Sequence, residues 1–499
     1  MSDLMPALIA TLIGSVLIDG FANPRAPYFA RRLIANWLIA STTLVPFGVF
    51  LAVSGDPIFA SIFSLALHLL AVLASNAKNR MLGEPLLFTD LALIGAMFRH
   101  PQFYFTVLTK GQKAAGLIAL AVLAIVLALL VRPDIQMAAY GSMIAGAGLV
   151  FTDLGLRIGG LRKIAQTPDI DRDSVSLGLV PTILFYWLRW RKDNRAPAIE
   201  NPGTADNSTS KSDAEELDLV VIVQCESYAD PVELFGDDKW GLRWLDASRR
   251  DAAQWGNLQV SGFGAYTMRT EYGVIFGRDE ADLGFRLFDP YLTALDDVSL
   301  ALPNKLRGER WHSMFVHPHD MRFYNRDQIL PAAGFDDLVG EESFDAPTQD
   351  QGRYVTDASV ADKIVKLAQE TGAASLIYSV TIENHGPWAP HGDARAEHMV
   401  ENYVKLVRAG DNMLGQLRKD IAALQKRALL VFFGDHRPSI PGASVPGGDR
   451  HTPYVILRFD RDGRIMPISN QRKDLTPAQL HEAIVAFVRG EVASDGREN

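Results

Sequence analysis

Two stretches of the sequence decide the fold of its second half. Residues 217–227 read Leu-Asp-Leu-Val-Val-Ile-Val-Gln-Cys-Glu-Ser, and residues 429–437 read Leu-Leu-Val-Phe-Phe-Gly-Asp-His-Arg. Each begins as an apolar run rich in β-branched or aromatic residues, which is typical of a strand that is covered on both faces. The sequence therefore predicts buried strands at 217–223 and 429–433, with Glu226 just after the first and Asp435 and His436 just after the second.

The rest of the second half alternates between two kinds of pattern. Apolar runs of the same kind predict further strands at 311–316, 375–380 and 454–459. Helical periodicity predicts helices between or after these strands, at 357–370, 397–425 and 477–489. Such alternation predicts an α/β domain with a mainly parallel sheet and helices on both faces. In sheets of this kind, functional residues collect just past the C-terminal ends of the strands.

The first half of the chain is far more apolar. A helix needs about 20 apolar residues to cross a bilayer, and four stretches approach or reach that length: 4–21, 33–53, 57–75 and 114–131. Two later stretches, 135–150 and 175–190, leave the number of spans open. The second of these ends with Trp187 and Trp190 among basic residues, so we interpret it as an interfacial helix with its indole rings at headgroup level.

Positive charges predict the orientation, because cytoplasmic loops carry an excess of Lys and Arg. The connection between the second and third spans has none, whereas the first and third connections carry Arg25, Arg31, Arg32, Lys78, Arg80, Arg99, Lys110 and Lys113. This pattern predicts that the first and third connections are cytoplasmic and that the N-terminus is outside. The second half then lies outside the cytoplasm with four or six spans, and inside with five.

Composition sets the domain limits and excludes some functions. Residues 193–216 hold almost no large apolar side chains, which is typical of a flexible linker. We predict a transmembrane anchor of about four helices at 1–155, an interfacial helix and linker at 156–216, and an extracytoplasmic catalytic domain at 217–492. The net charge of −9, without a large basic block, argues against nucleic-acid binding. A single cysteine, Cys225, excludes an intrachain disulfide and a cysteine-paired zinc finger.

Three polar clusters follow predicted strands. Glu226 follows the strand at 217–223, Asp435 and His436 follow the strand at 429–433, and Glu383 and His385 follow the strand at 375–380. Carboxylates and imidazoles together form a plausible ligand set for a divalent metal ion. Any one of these clusters alone is as well explained by a solvated loop, so the prediction depends on their being brought together.

Two further segments carry groups that suit phosphate chemistry. Residues 261–272 hold glycines and then Thr267 just before a helical pattern, where free backbone N–H groups can bind phosphate oxygens. Residues 317–326 hold His317, Tyr324 and Arg326 after a strand, and an arginine offers a planar fork of donors to phosphate. The alternatives are that Thr267 is only a helix cap and that the second segment is a polar surface turn.

The order of these clusters resembles the lipoteichoic acid synthase family. That family includes the phosphoglycerol transferases of periplasmic glucans, within the sulfatase-like branch of the alkaline-phosphatase superfamily. The matching positions of the second half are Glu226, Gly264–Glu271, His317, Phe323–Arg326, Glu383–Trp388 and Gly434–His436. Ser75–Arg80, Glu84, Pro85 and Asp90 match in the first half. The resemblance implies an alkaline-phosphatase-like fold for the second half.

The resemblance also implies a role for each matching residue. Four residues would hold one divalent ion, commonly Mn²⁺ or Mg²⁺ and with Zn²⁺ also compatible: Glu226, Thr267, Asp435 and His436. Thr267 would be the nucleophile, since metal coordination activates a hydroxyl that is otherwise a poor nucleophile at neutral pH. His385 would transfer protons, and Arg326 would neutralise charge on the phosphoryl group. The substrate contacts would be His317, Tyr324, Arg326, His385 and Trp388.

The function that this resemblance implies is a transferase of the bacterial inner membrane. It would move glycerol phosphate from phosphatidylglycerol to an extracytoplasmic glycan or glycolipid acceptor through a phospho-threonine intermediate. Tyr266, directly before Thr267, departs from the smaller or more polar residue of many relatives. The alternatives are a phosphodiesterase or sulfatase-type hydrolase, a phosphoethanolamine transferase and a non-catalytic scaffold. Cys225 lies beside Glu226 rather than at position 267, which argues against a sulfatase of the formylglycine type.

Overall fold

A computed structural model describes residues 3–26, 31–90, 131–158, 164–193, 216–306, 311–348, 351–389, 395–466 and 470–491, with scattered positions between 111 and 125. The chain divides into two compact units, Met1–Arg195 and Ala196–Asn499. The functional limits predicted at 155 and 216 stay predictions.

The first unit is a membrane anchor built from helices. Its elements are α1 (Leu4–Asp19), α2 (Leu33–Ser54), α3 (Pro57–Leu82), α4 (Ile135–Ile158), α5 (Ile170–Leu177) and α6 (Leu179–Asp193). Within the described residues, α2, α3 and α4 are long and apolar enough to cross a membrane, and α1 is a shorter apolar helix. Most of the predicted span at 114–131 lies outside the described residues. Residues 135–150, which the sequence analysis left unassigned, therefore belong to a helix long enough to span a membrane. Helix α6, with 15 residues, is shorter than a membrane span requires.

Helices α2 and α4 approach each other through small residues. A Cβ atom built on Gly48 would lie 2.4 Å from the carbonyl oxygen of Gly141, so only glycine fits at this contact. Farther along the pair, the Trp37 indole donates to the carbonyl of Phe151 at 2.9 Å. Small residues of this kind let helix backbones approach closely in a bilayer, where burial of apolar surface does not drive helix association.

One end of the anchor holds a buried ion pair. The carboxylate of Asp19 lies 3.1 Å from the guanidinium of Arg31, and both side chains are buried. The same carboxylate accepts hydrogen bonds from the backbone N–H groups of Leu179, at 3.3 Å, and Val180, at 3.2 Å. Asp19 therefore ties the start of α6 to the connection between α1 and α2.

Helix α4 runs towards this charged end. It begins near the short connection between α2 and α3, where the N–H of Arg132 donates to the carbonyl of Ser54 at 3.0 Å. The Trp37–Phe151 contact places its later turns beside the start of α2. The residues after α4 thus emerge on the same side as Arg31. The predicted orientation depends on the number of spans, and it stays a prediction.

The second unit contains an eight-stranded, mostly parallel sheet, which confirms the predicted fold class. The strands are β1 (Leu219–Cys225), β2 (Gln254–Leu258), β3 (Trp311–Val316), β4 (Asp337–Val339), β5 (Ala374–Val380), β6 (Ala428–Gly434), β7 (Thr452–Phe459) and β8 (Gln471–Arg472). Their order is β4-β3-β5-β1-β6-β7-β2-β8. Only the β6–β7 and β2–β7 pairings are antiparallel.

Helices cover this sheet. They are α7 (Pro231–Phe235), α8 (Arg243–Asp251), α9 (Thr267–Phe276), α10 (Glu280–Leu283), α11 (Leu302–Lys305), α12 (Arg326–Ala332), α13 (Asp357–Glu370), α14 (Ala396–Ala423) and α15 (Pro477–Arg489). The central strands β1, β5 and β6 are buried along their whole length, as continuous apolar runs require. Because these three strands are adjacent and parallel, their C-terminal ends place Glu226, Thr381 and Asp435 at one edge of the sheet.

Candidate metal and phosphate site

The C-terminal ends of β1 and β6 bring two carboxylates and an imidazole together. Ligand atoms of Glu226, Asp435 and His436 all lie within 4.8 Å of one another, and all three residues are buried. The Nε2 atom of His436 lies 3.4 Å from Glu226 Oε1 and 3.5 Å from Asp435 Oδ2. The three residues are distant in sequence and become neighbours because their strands are adjacent.

The surrounding groups favour a cation at this point. Asp435 Oδ1 accepts hydrogen bonds from the N–H groups of Ser227, at 2.8 Å, and His436, at 2.9 Å, whereas Oδ2 is buried and has no hydrogen-bond partner among the described residues. Burial, with the nearby Asp435 carboxylate adding to it, raises the pKa of Glu226 well above its usual range. An unsatisfied buried oxygen and two crowded carboxylates are costly without a counter-charge. The donor set therefore fits one divalent ion.

Thr267 is the first residue of α9, and two hydrogen bonds fix that helix to the strand ends. The amide of Gln224, at the end of β1, donates to the carbonyl of Thr267 at 3.3 Å. The hydroxyl of Thr270 donates to the carbonyl of Asp435 at 2.8 Å. Tyr378 on β5 in turn donates to the Gln224 side-chain oxygen at 2.7 Å. The helix N-terminus that carries Thr267 is thus attached to the same strands as the acidic cluster.

Two histidines at the strand ends, the buried His317 and the half-buried His385, are neutral. Burial lowers the pKa of His317, with the charge of Arg326 adding to the effect, and burial also lowers the pKa of His385. Nδ1 of His317 lies 3.0 Å from the carbonyl of Val380, and Nδ1 of His385 lies 2.8 Å from the carbonyl of Gly386. A carbonyl only accepts, so each Nδ1 carries the hydrogen and each neutral ring keeps an unprotonated Nε2. Both rings can therefore accept a proton.

Arg326, the predicted phosphate contact, is engaged in a buried ion pair. Its Nε donates to Glu271 Oε1 at 2.9 Å and its Nη2 donates to Glu271 Oε2 at 2.5 Å. The hydroxyl of Tyr291 also donates to Glu271, at 2.5 Å. Glu271 lay within the quoted Thr267 segment, but no role was predicted for it. Its spacing, four residues after Thr267 on one helix, was the available signal.

The two predicted aromatic contacts differ in their surroundings. Tyr324 has a left-handed backbone, with φ 61°, and its ring lies 5.1 Å from the guanidinium carbon of Arg326. Trp388 is 7% exposed, its indole N–H donates to Asn384 at 3.0 Å and its ring packs against Tyr403. Tyr324 therefore lies beside Arg326, the predicted phosphate contact, whereas Trp388 belongs mainly to the hydrophobic core.

A second cluster of ligand-type residues lies near the first and was not predicted. It contains Glu233, Asp449 and His451, and His451 makes short contacts with both carboxylates. The guanidinium of Arg437 lies 3.5 Å from Glu233 and 3.4 Å from Asp449. Because a fixed cation already lies among these acids, we interpret the cluster as an ion-pair network rather than a metal site.

Comparison with known proteins identifies the family of the second half. The family model "Sulfatase" matches residues 218–474. The chain belongs to the sulfatase family. The match begins at the start of β1 and ends after β8, so it contains every strand described above. The predicted membership of the sulfatase-like branch of the alkaline-phosphatase superfamily is therefore confirmed, and this protein is an enzyme of that superfamily.

Relatives extend the match beyond this domain. The capsular polysaccharide biosynthesis protein RkpI of Rhizobium meliloti is 26% identical over 93% of this chain and 90% of its own length. Lipoteichoic acid synthase 2 of Bacillus subtilis is 22% identical over 32% of this chain and 27% of its own length. Among solved structures, lipooligosaccharide phosphoethanolamine transferase A of Neisseria meningitidis has a TM-score of 0.50 at 12% identity, over 92% of this chain and 95% of that one. That likeness concerns the fold alone.

Proposed function

We propose that this protein transfers glycerol phosphate from phosphatidylglycerol to an extracytoplasmic glycan or glycolipid, with Thr267 as the nucleophile. The observation that carries the proposal is the buried set of Glu226, Asp435 and His436 beside the N-terminus of the helix that begins with Thr267. The relatives named for capsular polysaccharide biosynthesis and lipoteichoic acid synthesis support an envelope polymer as acceptor. The membrane anchor suits a lipid donor.

The proposed reaction is a pair of displacements at phosphorus. In the first, the Thr267 hydroxyl oxygen bonds to phosphorus, the bond from phosphorus to the diacylglycerol oxygen breaks, and the hydroxyl proton passes to that leaving oxygen. In the second, an acceptor hydroxyl bonds to phosphorus and the bond to Thr267 breaks. Nε2 of His385 takes the acceptor proton, and that proton returns to the Thr267 oxygen.

The other residues of the site would bind and orient the phosphoryl group. Glu226, Asp435 and His436, with the Thr267 hydroxyl, would hold one divalent ion, with Mn²⁺ or Mg²⁺ first and Zn²⁺ next among the candidates. Such an ion stabilises negative charge on the phosphoryl oxygens and lowers the pKa of a coordinated hydroxyl. Arg326 spends two donors on Glu271 and would offer the remaining Nη1 to phosphate. The unprotonated Nε2 of His317 would accept from a glycerol hydroxyl.

We also propose a revised orientation, with the N-terminus in the cytoplasm and the sulfatase-like domain outside. Arg31 and Lys78, which contributed to the opposite assignment, are paired with Asp19 at 3.1 Å and Asp90 at 2.6 Å. A positive charge that is neutralised by a carboxylate adds little to the positive excess that keeps a loop in the cytoplasm. These two residues are therefore weak signals of orientation. With the predicted span at 114–131 counted, five spans would put the connection that carries Arg31 outside together with the domain.

Labelling of single cysteines in intact cells would test this orientation, after Cys225 is changed to Ser. A cysteine replacing Arg25 should react with a membrane-impermeant maleimide, and one replacing the exposed Asp56 should react only after permeabilisation. The reverse pattern would contradict the proposed orientation.

Transfer can be separated from hydrolysis with a labelled donor. The full-length protein, in vesicles of phosphatidylglycerol labelled in its headgroup glycerol, is incubated with divalent metal and with polysaccharide from the cell envelope. The proposal expects label in the polysaccharide, an equal amount of diacylglycerol, and neither product from the Thr267→Ala variant. Free glycerol phosphate as the main product would instead assign a hydrolase. Transfer from phosphatidylethanolamine but not from phosphatidylglycerol would assign a phosphoethanolamine transferase.

A further inference from the structure

Tyr266, the residue directly before Thr267, has an unusual backbone. It lies in the left-handed region, with φ 78° and ψ 32°, and it forms the N-cap of α9 without a side-chain capping bond. A bulky residue is rarely found in this region, because its Cβ is crowded by the backbone. Strain of this kind persists only where the surroundings hold it. The conformation matters because it sets the direction in which the chain enters Thr267.

The side chain of Arg269, one turn later on the same helix, packs against Tyr266. The guanidinium carbon of Arg269 lies 3.9 Å from the centroid of the Tyr266 ring, a close cation–π contact. Both residues are buried, with 4% of Arg269 and 8% of Tyr266 exposed. The N–H of Arg269 also donates to the carbonyl of Tyr266 at 2.8 Å. Backbone and side chain of Arg269 therefore contact the same residue.

The Arg269 guanidinium is held in place from its other side. Its Nη2 donates to the carbonyl of Phe288 at 3.3 Å, and its carbon lies 5.7 Å from the Phe288 ring. The neighbouring Asp289 is buried, and although burial raises the pKa of Asp289 to about 6, the charge of Arg269 acts to lower it. The segment around Phe288 thus keeps the guanidinium over the tyrosine ring.

The body of α9 is fixed independently of this contact. The hydroxyl of Thr270 donates to the carbonyl of Asp435 at 2.8 Å, and Gln224 donates to the carbonyl of Thr267 at 3.3 Å. Both bonds act on atoms at or after the Thr267 carbonyl. Neither fixes the peptide between Tyr266 and Thr267. The backbone N–H of Arg269 bonds the carbonyl of that peptide, and the Arg269 guanidinium packs on the ring of Tyr266.

We propose that Arg269 is a positioning residue, which holds Tyr266 in its left-handed conformation and so aims the Thr267 hydroxyl at the site of Glu226, Asp435 and His436. The proposal rests on Thr267 being the nucleophile. Tyr266 is then the residue whose backbone conformation Arg269 fixes. Misaligning a nucleophile by about 1 Å can slow a reaction on the order of 100-fold without weakening substrate binding.

The test uses the full-length enzyme, a chromogenic phosphodiester such as bis(p-nitrophenyl) phosphate, and saturating Mn²⁺. Arg269→Met is expected to lower kcat about 10- to 100-fold and to leave KM nearly unchanged. Asp289→Asn is introduced into all variants and into the reference enzyme, so that removing Arg269 does not leave a buried carboxylate without its cation.

Rescue by glycine separates positioning from a merely structural role. Glycine takes the left-handed conformation without a steric cost, so Arg269→Met in a Tyr266→Gly enzyme is expected to change kcat by no more than about threefold. Tyr266→Asn is a second background, because asparagine is also enriched in this region. An equal loss of kcat from Arg269→Met in all three backgrounds would overturn the proposal. So would an unchanged kcat of Arg269→Met with Tyr266 present.

This outcome is distinguishable from a failure of the proposed function. If Thr267 is not the nucleophile, Thr267→Ala retains turnover of the phosphodiester. If Thr267 is the nucleophile and Arg269 does not position it, Thr267→Ala loses turnover while glycine at position 266 fails to rescue Arg269→Met.

Discussion

Arg326 directs two of its donors at one carboxylate, that of Glu271, and this pair is fully buried. The pair lies on two different elements, since Glu271 belongs to α9 and Arg326 begins α12. The helix that begins with Thr267 and the helix that begins with the predicted phosphate contact, Arg326, are therefore joined by an ion pair. A guanidinium held at two points has one fixed direction left for a substrate oxygen.

Glu271→Gln is expected to lower kcat/KM about 10- to 100-fold. A glutamine accepts from only one of the two Arg326 donors, so the guanidinium turns away from its fixed direction and loses its buried partner. Breaking a buried pair on one side costs about 3–5 kcal/mol of stability, so the thermal midpoint should fall as well. Steady-state kinetics and a thermal unfolding scan of the purified protein measure both.

Tyr291→Phe is the matched control, because it removes one hydrogen bond to Glu271 and leaves the ion pair in place. Its loss of stability should be about 1–3 kcal/mol. A double-mutant cycle that combines Glu271→Gln with Arg326→Ala tests whether the two residues act together. If Glu271→Gln lowers activity as much without Arg326 as with it, Glu271 does not act through Arg326.

Asp435→Asn is expected to abolish tight metal binding while the domain stays folded. The asparagine oxygen can still accept from Ser227 and His436, which holds the local backbone, but the charge and the unsatisfied Oδ2 are lost. Metal content after dialysis, measured by mass spectrometry of the element, should fall from about one ion per chain to near zero. Circular dichroism should be unchanged.

Glu233→Gln provides the comparison for that experiment, since Glu233 belongs to the ion-pair network around Arg437. It should leave metal content unchanged. If Glu233→Gln loses metal and Asp435→Asn keeps it, the ion binds at the cluster of Glu233, which would contradict the assignment.

Gly48→Val is expected to destabilise the membrane anchor. Any Cβ at this position would lie 2.4 Å from the carbonyl oxygen of Gly141, so α2 and α4 would have to separate. Overpacking of this kind costs about 1–3 kcal/mol or more, and it should lower the thermal midpoint of the full-length protein in detergent. Gly146→Ala on α4 is the control, since a Cβ there meets no atom of the described part of the chain within 4 Å. Equal effects of the two changes would argue against the close contact.

Stability should decrease as the pH falls from about 6.5 to about 4, partly because of His481. Burial, with the charge of Lys305 adding to it, lowers the pKa of His481 to about 4. The folded state thus keeps this ring neutral where the unfolded state, with a pKa near 6.5, already binds a proton. This loss of stability is absent above about pH 6.5. It grows by about 1.4 kcal/mol per pH unit below that and reaches roughly 3 kcal/mol near pH 4.

His481→Asn keeps a donor near the carbonyl of Val274, which accepts from the histidine ring at 2.9 Å, and removes the titration. Its thermal midpoint should change less between pH 7 and pH 4.5 than that of the unchanged protein. An identical pH profile for His481→Asn would exclude His481 as the cause.

Much of the fold was predictable from the strand patterns of the sequence. Continuous apolar runs gave the central strands β1, β5 and β6 to within one or two residues, because strands buried on both faces leave a strong signal. The strands β2, β4 and β8 were missed. Each is at most five residues long and lies outside the centre of the sheet, so little apolar periodicity marks it.

Site residues were predictable where a strand carries them and less so where they act through others. Glu226, Asp435 and His436 follow directly from two strand ends. The roles of Glu271, Gln224 and Arg269 depend on contacts between elements 40 or more residues apart or on a backbone conformation, neither of which a local pattern records. A count of positive charges likewise does not show that Arg31 is paired with Asp19.

The most direct test of the central claim is the fate of Thr267 during turnover. The full-length protein is incubated with phosphatidylglycerol vesicles and Mn²⁺, quenched with acid and digested, and the peptide that contains Thr267 is examined by tandem mass spectrometry. We expect a glycerophosphate adduct on Thr267 that disappears with chelator, in Asp435→Asn and in Thr267→Ala. Turnover of the lipid with no adduct on Thr267, or with the adduct on another residue, would contradict it.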